Sequence, residues 1–348
     1  MNTYDNTLYI LTQGAYLAKD GERVAVRVDN EMRLAVPIHT LGGIVAFGQV
    51  TASPFLMGMA AEKGVCMSFL TEQGRFLARV EGPVSGNIRL RKRQYRLSES
   101  FPECHRVAAS FIAGKFVNQR SVLERHRRDH AAASQRVTEV SQELSLLIAK
   151  VAGIAAHPSP DGDLETLRGI EGGGAMRYFS VFGDLILHQK ESFGFAGRNR
   201  RPPLDNANAL LSFVYTLLTH DVRSALEGVG LDPQAGFLHR DRPGRPGLAL
   251  DMMEELRPIL ADRLVLSLIN RKQVTGKGFT IRENHGVEMD EKTRRVVLTA
   301  YQERKREEIE HPFLKKKVPW GLVPHIQARL LARYLRGDLD GYPAFIWK

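Results

Sequence analysis

Three segments of the chain carry acidic, imidazole or guanidinium groups at spacings that could bind a cation or a phosphate. In residues 163–183, a helical period of about 100° per residue places Glu171 inside an apolar stripe. Burying a carboxylate there is costly unless a cation or a donor compensates it. The glycines at 172–174 follow directly and leave room for a ligand or another backbone. Glu171 is therefore either a metal ligand or a buried acid that pairs with an arginine from elsewhere.

The second segment, residues 236–258, combines a histidine with acids. His239 ends a short apolar run, and a helix that begins near residue 248 carries Asp251 and Glu254 at an i, i+3 spacing, which places both on one face. The intervening loop, rich in Pro and Gly, is long enough to bring His239 over that face. An imidazole with carboxylates suits Mg²⁺ or Mn²⁺ better than a sulfur-rich zinc site. Taken alone, His239 is more often a core histidine than a ligand.

The third segment is a loop, bounded by Gly and Pro, that precedes another helix. It carries Arg198, Arg200 and Arg201, and the helix is predicted to begin with Asp205 as its N-cap and Asn208 in its first turn. Arginines in such a loop suit contacts with phosphates. The alternative is a basic surface loop without a ligand.

Charge and composition narrow the class of protein. The 348 residues include 49 Lys+Arg and 39 Asp+Glu, for a net charge of +10. Residues 1–86 hold seven basic and eight acidic residues, whereas residues 87–348 hold 42 and 31, so the whole basic surplus lies in the second part. A basic excess confined to one part favours a polyanionic partner, most often nucleic acid. The alternative is a basic surface that serves solubility only.

Several classes of protein lack support in the sequence. Two cysteines cannot form a disulfide scaffold or a four-thiolate zinc site. The sequence contains no P-loop, no dinucleotide-binding glycine motif, no HExxH and no GxSxG. A long apolar run and a signal peptide are also missing, so we expect a cytoplasmic protein that makes no contact with a membrane.

The pattern of apolar residues divides the chain into a β-rich and a helical part. Residues 7–80 are predicted to form six or seven short strands and one helix over 53–63, with tight turns at 19–21 and 29–30. We therefore predict an α+β, multidomain protein, in which a small, sandwich-like N-terminal domain (1–86) precedes a basic linker (87–105) and a larger all-α domain (106–348). The predicted helices of the last domain cover 121–151, as one long helix or two, 163–183, 205–220, 248–256 and 326–335.

Together the three segments resemble the CRISPR-associated integrase family, the metal-dependent endonucleases that install new spacers in CRISPR arrays. The matching elements are LRGIEGGGAMRYF at 167–179, the arginines with the downstream NALLSF-Y block at 198–215, and LH followed by D--EELRP at 238–258. Each motif is weak alone, but three in this order are specific, and the resemblance spans nearly the whole chain. The C-terminal HPFLKKKVPWGLVPHIQARLLARYLRG is most similar to the branch found with type I-C systems.

The resemblance implies a β-sandwich domain that forms a homodimer and an all-helical catalytic domain with one divalent-metal site. Its ligands and catalytic residues would be Glu171, His239 and Glu254, and the metal would be Mg²⁺ or Mn²⁺. Many family members have Asp at the last position, so Asp251, which would lie beside the site in a supporting role, is the alternative third ligand. Glu254 is chosen as the ligand because the family places it just before an Arg-Pro pair.

The activity implied is insertion of short DNA fragments into a CRISPR array by transesterification, with nuclease activity when water replaces the 3′-hydroxyl. The partners would be double-stranded DNA fragments, CRISPR repeat DNA, a second copy of the chain and the small companion subunit of the adaptation machinery. Two alternatives remain: a DNA-binding scaffold without catalysis, and a metal-dependent hydrolase of a small phosphate ester.

Further residues have expected supporting or DNA-binding roles. Tyr178 lies one stripe position from Glu171, where it could contact a DNA end or only pack in the core, and Asn208 would support the site. The DNA-binding candidates are Arg177, Arg198, Arg200, Arg201 and Arg240.

Overall fold

The computed structural model describes residues 6–72, 76–82, 88–130, 135–157 and 164–347, which form two compact units. The first unit comprises residues 1–85, 289–308 and 319–322. The second comprises residues 86–288, 309–318 and 323–348. Along the chain, the second unit is therefore interrupted by two segments that belong to the first.

The N-terminal part of the first unit is β-rich. Its elements are β1 (Asn6–Ile10), β2 (Tyr16–Asp20), β3 (Arg23–Val28), β4 (Glu31–Pro37), β5 (Leu41–Phe47), β6 (Thr51–Ala52), α1 (Pro54–Glu62), β7 (Cys66–Leu70) and β8 (Phe76–Val80). The turns form where they were predicted, since Gly21 between β2 and β3 and the pair Asp29–Asn30 between β3 and β4 have positive φ angles of 58°, 53° and 63°. Ser53 caps α1 by accepting a hydrogen bond from the backbone N–H of Leu56 at 3.2 Å.

These strands form two four-stranded sheets around a common core. One sheet has the order β1-β5-β7-β8 and the other β4-β3-β2-β6. Strands β1, β5 and β7 are parallel to one another, whereas β3 is antiparallel to both β2 and β4 and β6 is parallel to β2. Side chains from both sheets and from α1, among them Leu17, Ile44 and Leu56, are fully buried in one apolar cluster. The predicted sandwich-like arrangement agrees with this packing.

The remainder of the chain is mostly helical. Its elements are α2 (Ile88–Glu99), α3 (Glu103–Asp129), α4 (Gln135–Ala156), α5 (Leu164–Ser180), α6 (Asn206–Val229), α7 (Gly247–Leu256), α8 (Arg263–Asn270), β9 (Phe279–Ile281), β10 (Val287–Met289), α9 (Glu291–Arg306), β11 (Glu308–Glu310), β12 (Lys317–Pro319) and α10 (Val323–Arg336). A π-helical segment, Arg257–Asp262, connects α7 to α8. No helix among the described residues is both long and apolar enough to cross a bilayer.

The centre of the second unit is the long helix α3. It packs against α4, α5 and α7, and α6 packs against α7 and α10. The predicted stretch 121–151 is divided between α3 and α4, and residues 131–134 between them lie outside the described part. Because α3 contacts both α5 and α7, it brings together the helices that carry the predicted acidic residues.

The segment expected to be a basic linker, 87–105, is instead largely helical. Helix α2 buries Leu90, Gln94 and Leu97, a spacing of four and three residues that lies on one helical face. Gln94 Nε2 donates hydrogen bonds to the carbonyl oxygens of Asp232 at 2.7 Å and Ala235 at 2.9 Å. Charged residues dominate this segment and only a narrow face of the helix is buried, so the amino-acid pattern suggested a linker.

Helix α9 belongs to the first unit, although the sequence analysis placed it in the domain 106–348. It packs against β1, and Gln302 Nε2 donates to the carbonyl oxygen of Thr7 at 3.2 Å. Its buried side chains include Val297, Leu298 and Tyr301. Periodicity identifies such a face but does not show which distant layer covers it.

Candidate active site

The glycines after Glu171 allow α5 to approach α3 closely. A Cβ atom at Gly174 would lie 2.3 Å from the ring of Phe116, so only glycine fits there. Gly172, by contrast, faces open space. The space predicted beside Glu171 is thus filled at Gly174 by an aromatic ring of α3.

The partner of Glu171 is a lysine rather than the arginine that the sequence suggested. Lys115 of α3 is fully buried, and its ammonium donates to Glu171 Oε1. The same ammonium lies 2.8 Å from Oε2 of Glu254 on α7. Two predicted ligands, which lie on different helices, therefore converge on one internal cation.

Glu254 is ionised despite its burial. Burial raises the pKa of this carboxyl, but the charges of Arg257, Lys115 and His239 outweigh burial and lower the pKa to about 2. The Arg257 guanidinium lies 2.8 Å from Glu254 Oε2 and is itself buried. The carboxylate is therefore an anion at neutral pH and can act as a ligand without losing a proton.

Asp251 fixes the position of His239. Its Oδ2 accepts hydrogen bonds from the backbone N–H groups of Phe237 (2.6 Å) and Leu238 (2.9 Å). Its Oδ1 accepts from the N–H of His239 (2.9 Å) and lies 2.6 Å from the Nδ1 of the same residue. The bond at Nδ1 leaves Nε2 as the nitrogen for a ligand, as in carboxylate–histidine–metal arrangements.

The carboxylates of Glu171 and Glu254 and the imidazole of His239 are ligand types that suit a hard divalent cation. Glu254 Oε2 is buried and, among the described residues, lacks a well-aligned hydrogen bond, although the cations of Lys115 and Arg257 lie near it. Across the described part of the chain, however, no group of three His, Cys, Asp or Glu side chains is gathered closely enough to hold a metal. The two carboxylates already share one cation, the ammonium of Lys115. Once that ammonium moves away, their oxygens are the type of ligand that Mg²⁺ or Mn²⁺ binds.

Arg198 and Asn208 form hydrogen bonds that hold the loop before α6 in place. Asn208 is buried, and its Oδ1 accepts from Arg198 Nη1 at 2.7 Å, while Arg198 Nη2 donates to Ser212 at 3.0 Å. Burial lowers the pKa of Arg198 to about 10. Its guanidinium also covers the ring of Tyr215. Two nitrogens of Arg198, Nη1 and Nη2, thus donate hydrogen bonds inside the protein, which does not favour the expected contact of Arg198 with DNA phosphates. Asp205 caps α6 as predicted.

Tyr178 is a core residue rather than a DNA contact. It is fully buried, and its ring packs against Phe179 and Phe182. Burial raises the pKa of its hydroxyl well above the ordinary value, with Asp262 as the next cause. The core-packing alternative in the sequence analysis agrees with these contacts, and a stacking role on DNA does not.

The other candidate arginines differ in how strongly they are engaged. Arg200 and Arg201 are exposed. Arg177 pairs with Glu143 at 2.9 Å, and Arg240 pairs with Glu165 at 2.6 Å, each at the surface. The first two are therefore better placed than the last two to exchange water for phosphate.

Sequence reasoning missed further cations near the site. Burial is the main cause that lowers the pKa of Arg245, and the charges of Arg242, Arg168 and Arg200 lower it further. The carboxylate of Asp251 acts in the opposite direction. Arginines from α5, from the loop before α6 and from the loop before α7 therefore share one region beside Asp251. The Pro-Gly-Arg-Pro-Gly sequence was a signal for this cluster, because its arginine cannot fold back along a helix of its own.

Solved structures with the same fold support this architecture. A Cas1 protein from Thermotoga maritima superposes with a TM-score of 0.81 at 21% identity, covering 97% of this chain and 99% of that chain. A casposase bound to integration product gives 0.82 at 22% identity and covers 98% and 94%. A Cas6-RT-Cas1–Cas2 complex gives 0.82 at 21% identity and covers 99% and 36%. At these identities the likeness shows the fold alone, and it confirms the predicted α+β class.

Sequence comparisons show the family. The model of CRISPR associated protein Cas1 matches residues 8–303. CRISPR-associated endonuclease Cas1 1 of Chlorobaculum tepidum is 51% identical over 348 residues, which is 100% of both chains. CRISPR-associated endonuclease Cas1 2 of Rhodospirillum rubrum is also 51% identical over 348 residues, covering 99% of this chain and 98% of the relative. The chain therefore belongs to the Cas1 family of CRISPR-associated endonucleases.

Proposed function

We propose that this chain is a divalent-metal-dependent DNA endonuclease and integrase that inserts short DNA fragments into a CRISPR array. The observation that carries the proposal is the convergence of Glu171 and Glu254 on one cation, beside a histidine that Asp251 orients. Membership of the Cas1 family supports the nuclease class. The metal and the transesterification chemistry are our inference from the donor set.

Glu171, His239 and Glu254 would hold Mg²⁺ or Mn²⁺. When bound, the metal supplies charge stabilisation at phosphorus and lowers the pKa of the attacking hydroxyl or water. Asp251 is not a ligand in this proposal, because both of its oxygens already accept hydrogen bonds from backbone N–H groups and one also binds the His239 ring. It acts by holding the imidazole so that Nε2 faces the ligand position.

In the proposed reaction, a 3′-hydroxyl of the DNA fragment attacks a phosphate at the repeat boundary, and the 3′-oxygen of the array strand leaves. Water in place of the hydroxyl gives hydrolysis at the same site. Exposed arginines, with Arg200 and Arg201 as the first candidates, would hold the DNA backbone. The basic surplus of residues 87–348, with 42 basic and 31 acidic residues, supports a polyanionic substrate.

We further propose that the protein works as a homodimer with the family's small companion subunit, in the cytoplasm, on double-stranded fragments and CRISPR repeat DNA. Exposed apolar side chains on the first unit, namely Met32, Leu34, Phe55 and Leu77, support an interface there. A solved neighbour is described as a Cas6-RT-Cas1–Cas2 complex, and another as a casposase bound to integration product. The motifs at the C-terminus support assignment to the type I-C branch.

The test is cleavage and joining of a branched DNA with and without Mn²⁺. We expect Glu171→Ala and His239→Ala to abolish both reactions while circular dichroism and duplex binding remain those of the wild type. Glu139→Ala, which removes an exposed acid from α4, is the matched control and should stay active. Full activity of either site variant would refute the proposed centre.

The same measurements separate the two alternatives. A DNA-binding scaffold would bind branched DNA with no product at any Mn²⁺ concentration. A hydrolase of a small phosphate ester would cleave such an ester, yet would show no duplex binding that weakens with salt.

A further inference from the structure

The most unusual side chain of the second unit is Lys115. It lies in the middle of α3 and is 0% exposed, yet it carries an ammonium group. Lysine is almost never buried this completely without charged partners, because removing the charge from water is costly. Its partners are Glu171 of α5 and Glu254 of α7, so one helix supplies a cation to the acids of two others.

These acids are two of the three ligands in the proposed metal centre. Mg²⁺ requires oxygen atoms at about 2.0–2.1 Å. An ammonium that contacts both carboxylates occupies the space between them in which a metal would have to sit. A metal ion and the Lys115 ammonium cannot both occupy the space between these carboxylate oxygens, so the metal and the ammonium exclude each other.

The geometry also provides a route for exchange. Glu254 is nearly buried, with a side chain that is 6% exposed, whereas Glu171 is 23% exposed. A hydrated cation can therefore approach the pair from the side of Glu171. Arg257 remains 2.8 Å from Glu254 Oε2 and continues to compensate that carboxylate when Lys115 moves.

We propose that Lys115 is an internal counter-cation that keeps Glu171 and Glu254 together in the metal-free protein and competes with the divalent metal for their oxygens. This inference rests on the proposed function, because it assumes that the two carboxylates bind a metal. Lys115 is thus a positioning residue, and it sets the concentration of metal at which the site fills.

Replacing Lys115 by Met separates competition from a purely structural role. Met has a similar length and no charge, so a metal need not displace an ammonium or lie beside it. We expect at least ten-fold tighter Mn²⁺ binding by Lys115→Met than by the wild type. The metal-free variant leaves carboxylates without their partner, so its Tm should fall by at least about 4 °C and should recover with saturating Mn²⁺.

The measurement is the dissociation constant of Mn²⁺ for the whole protein, from the electron paramagnetic resonance signal of free Mn²⁺, together with Tm at each concentration. Lys150→Met, which removes an exposed lysine from α4, is the control and should match the wild type in both. Lys115→Gln, which retains hydrogen-bond donors, replaces the Met variant if that variant is insoluble, and the same tightening is expected.

Unchanged or weaker Mn²⁺ binding by the variant, at a wild-type site that does bind Mn²⁺, would overturn the inference. A lower Tm with unchanged affinity would make Lys115 a structural ion pair only. Glu171→Gln distinguishes failure of the proposed function, since a Mn²⁺ site that this variant leaves intact cannot be the proposed centre. That result would refute both the proposed metal centre and the proposed role of Lys115.

Discussion

The assignment of Asp251 as an orienting residue can be tested by Asp251→Asn, which keeps the size of the side chain. The two oxygens of Asp251 serve four donors, and the side chain is 0% exposed. Asparagine retains one oxygen, so two donors lose their acceptor whichever way the amide turns. At about 1–3 kcal/mol for each unsatisfied buried donor, the variant should lose about 2–6 kcal/mol of unfolding free energy.

The effect on activity should differ from that of removing a ligand. If His239 loses its fixed orientation, metal affinity is expected to fall about 10–100-fold, and high metal should restore the reaction. Glu254→Gln removes a ligand oxygen itself, so high metal should restore little. The assay is single-turnover joining of one branched DNA over a titration of Mn²⁺, with Asp241→Asn as a control because Asp241 is an exposed acid of the same segment.

The reverse ranking would refute this reasoning. If Glu254→Gln recovers at high Mn²⁺ and Asp251→Asn does not, the third ligand is Asp251 and the hydrogen bonds seen at its oxygens are exchanged for the metal. An Asp251→Asn variant with wild-type stability would equally contradict the cost worked out from its donors.

Three further predictions concern DNA binding, packing and pH. Replacing Arg200 and Arg201 together should flatten the slope of log affinity against log salt by up to about two units, because each phosphate contact contributes about 0.9; an unchanged slope would place both away from DNA. Gly174→Ala should destabilise the fold by about 1–3 kcal/mol in urea unfolding, since its Cβ would meet a ring at 2.3 Å, whereas Gly172→Ala should stabilise it by up to about 1 kcal/mol. Burial above all raises the pKa of Asp262 from 3.8 to about 6, so its contribution to stability is largest below pH 3.8 and is lost as pH rises through about 6. Unfolding free energies of Asp262→Asn should therefore depend less on pH between about 4 and 6 than those of the wild type.

Local signals in the sequence predicted the elements and several positions of the site. The N-cap at Asp205 and the turn at Asp29–Asn30 depend on a few neighbouring residues, and the structure contains both. Period and spacing also marked Glu171 as an unusual acid beside glycines. Its convergence with Glu254 depends on α3, which lies between the two helices, and helical periodicity cannot give that arrangement.

Lys115 was missed although the sequence contained a signal for it. Phe111, Ile112 and Val122 mark the buried face of α3, and Lys115 lies on that face. The argument that singled out Glu171, a charge inside an apolar stripe, applies equally here. Two charges of opposite sign inside two apolar stripes predict a buried pair, which is more specific than either charge alone.

The arginine loop shows a limit that no local pattern removes. Arg198 and Arg200 are two residues apart and share the same flanking glycine and prolines. One is held by Asn208 and Ser212, and the other is exposed. Which arginine turns inward depends on acceptors that the following helix presents, so the loop sequence alone could not separate Arg198, which binds inside the protein, from the exposed Arg200 and Arg201.

The buried charges of the candidate site balance without a metal, because Lys115 and Arg257 face Glu171 and Glu254. Removing any one of the four leaves a buried charge uncompensated, which by itself costs several kcal/mol. Loss of activity after an alanine substitution therefore distinguishes a ligand from a charge that supports the fold only where circular dichroism and duplex binding are unchanged. Substitutions that keep size and change one property make that distinction. Lys115→Met should bind the metal more tightly although it lowers the unfolding free energy, while Lys150→Met should change neither, and Glu254→Gln and Asp251→Asn should differ in whether high metal restores the reaction.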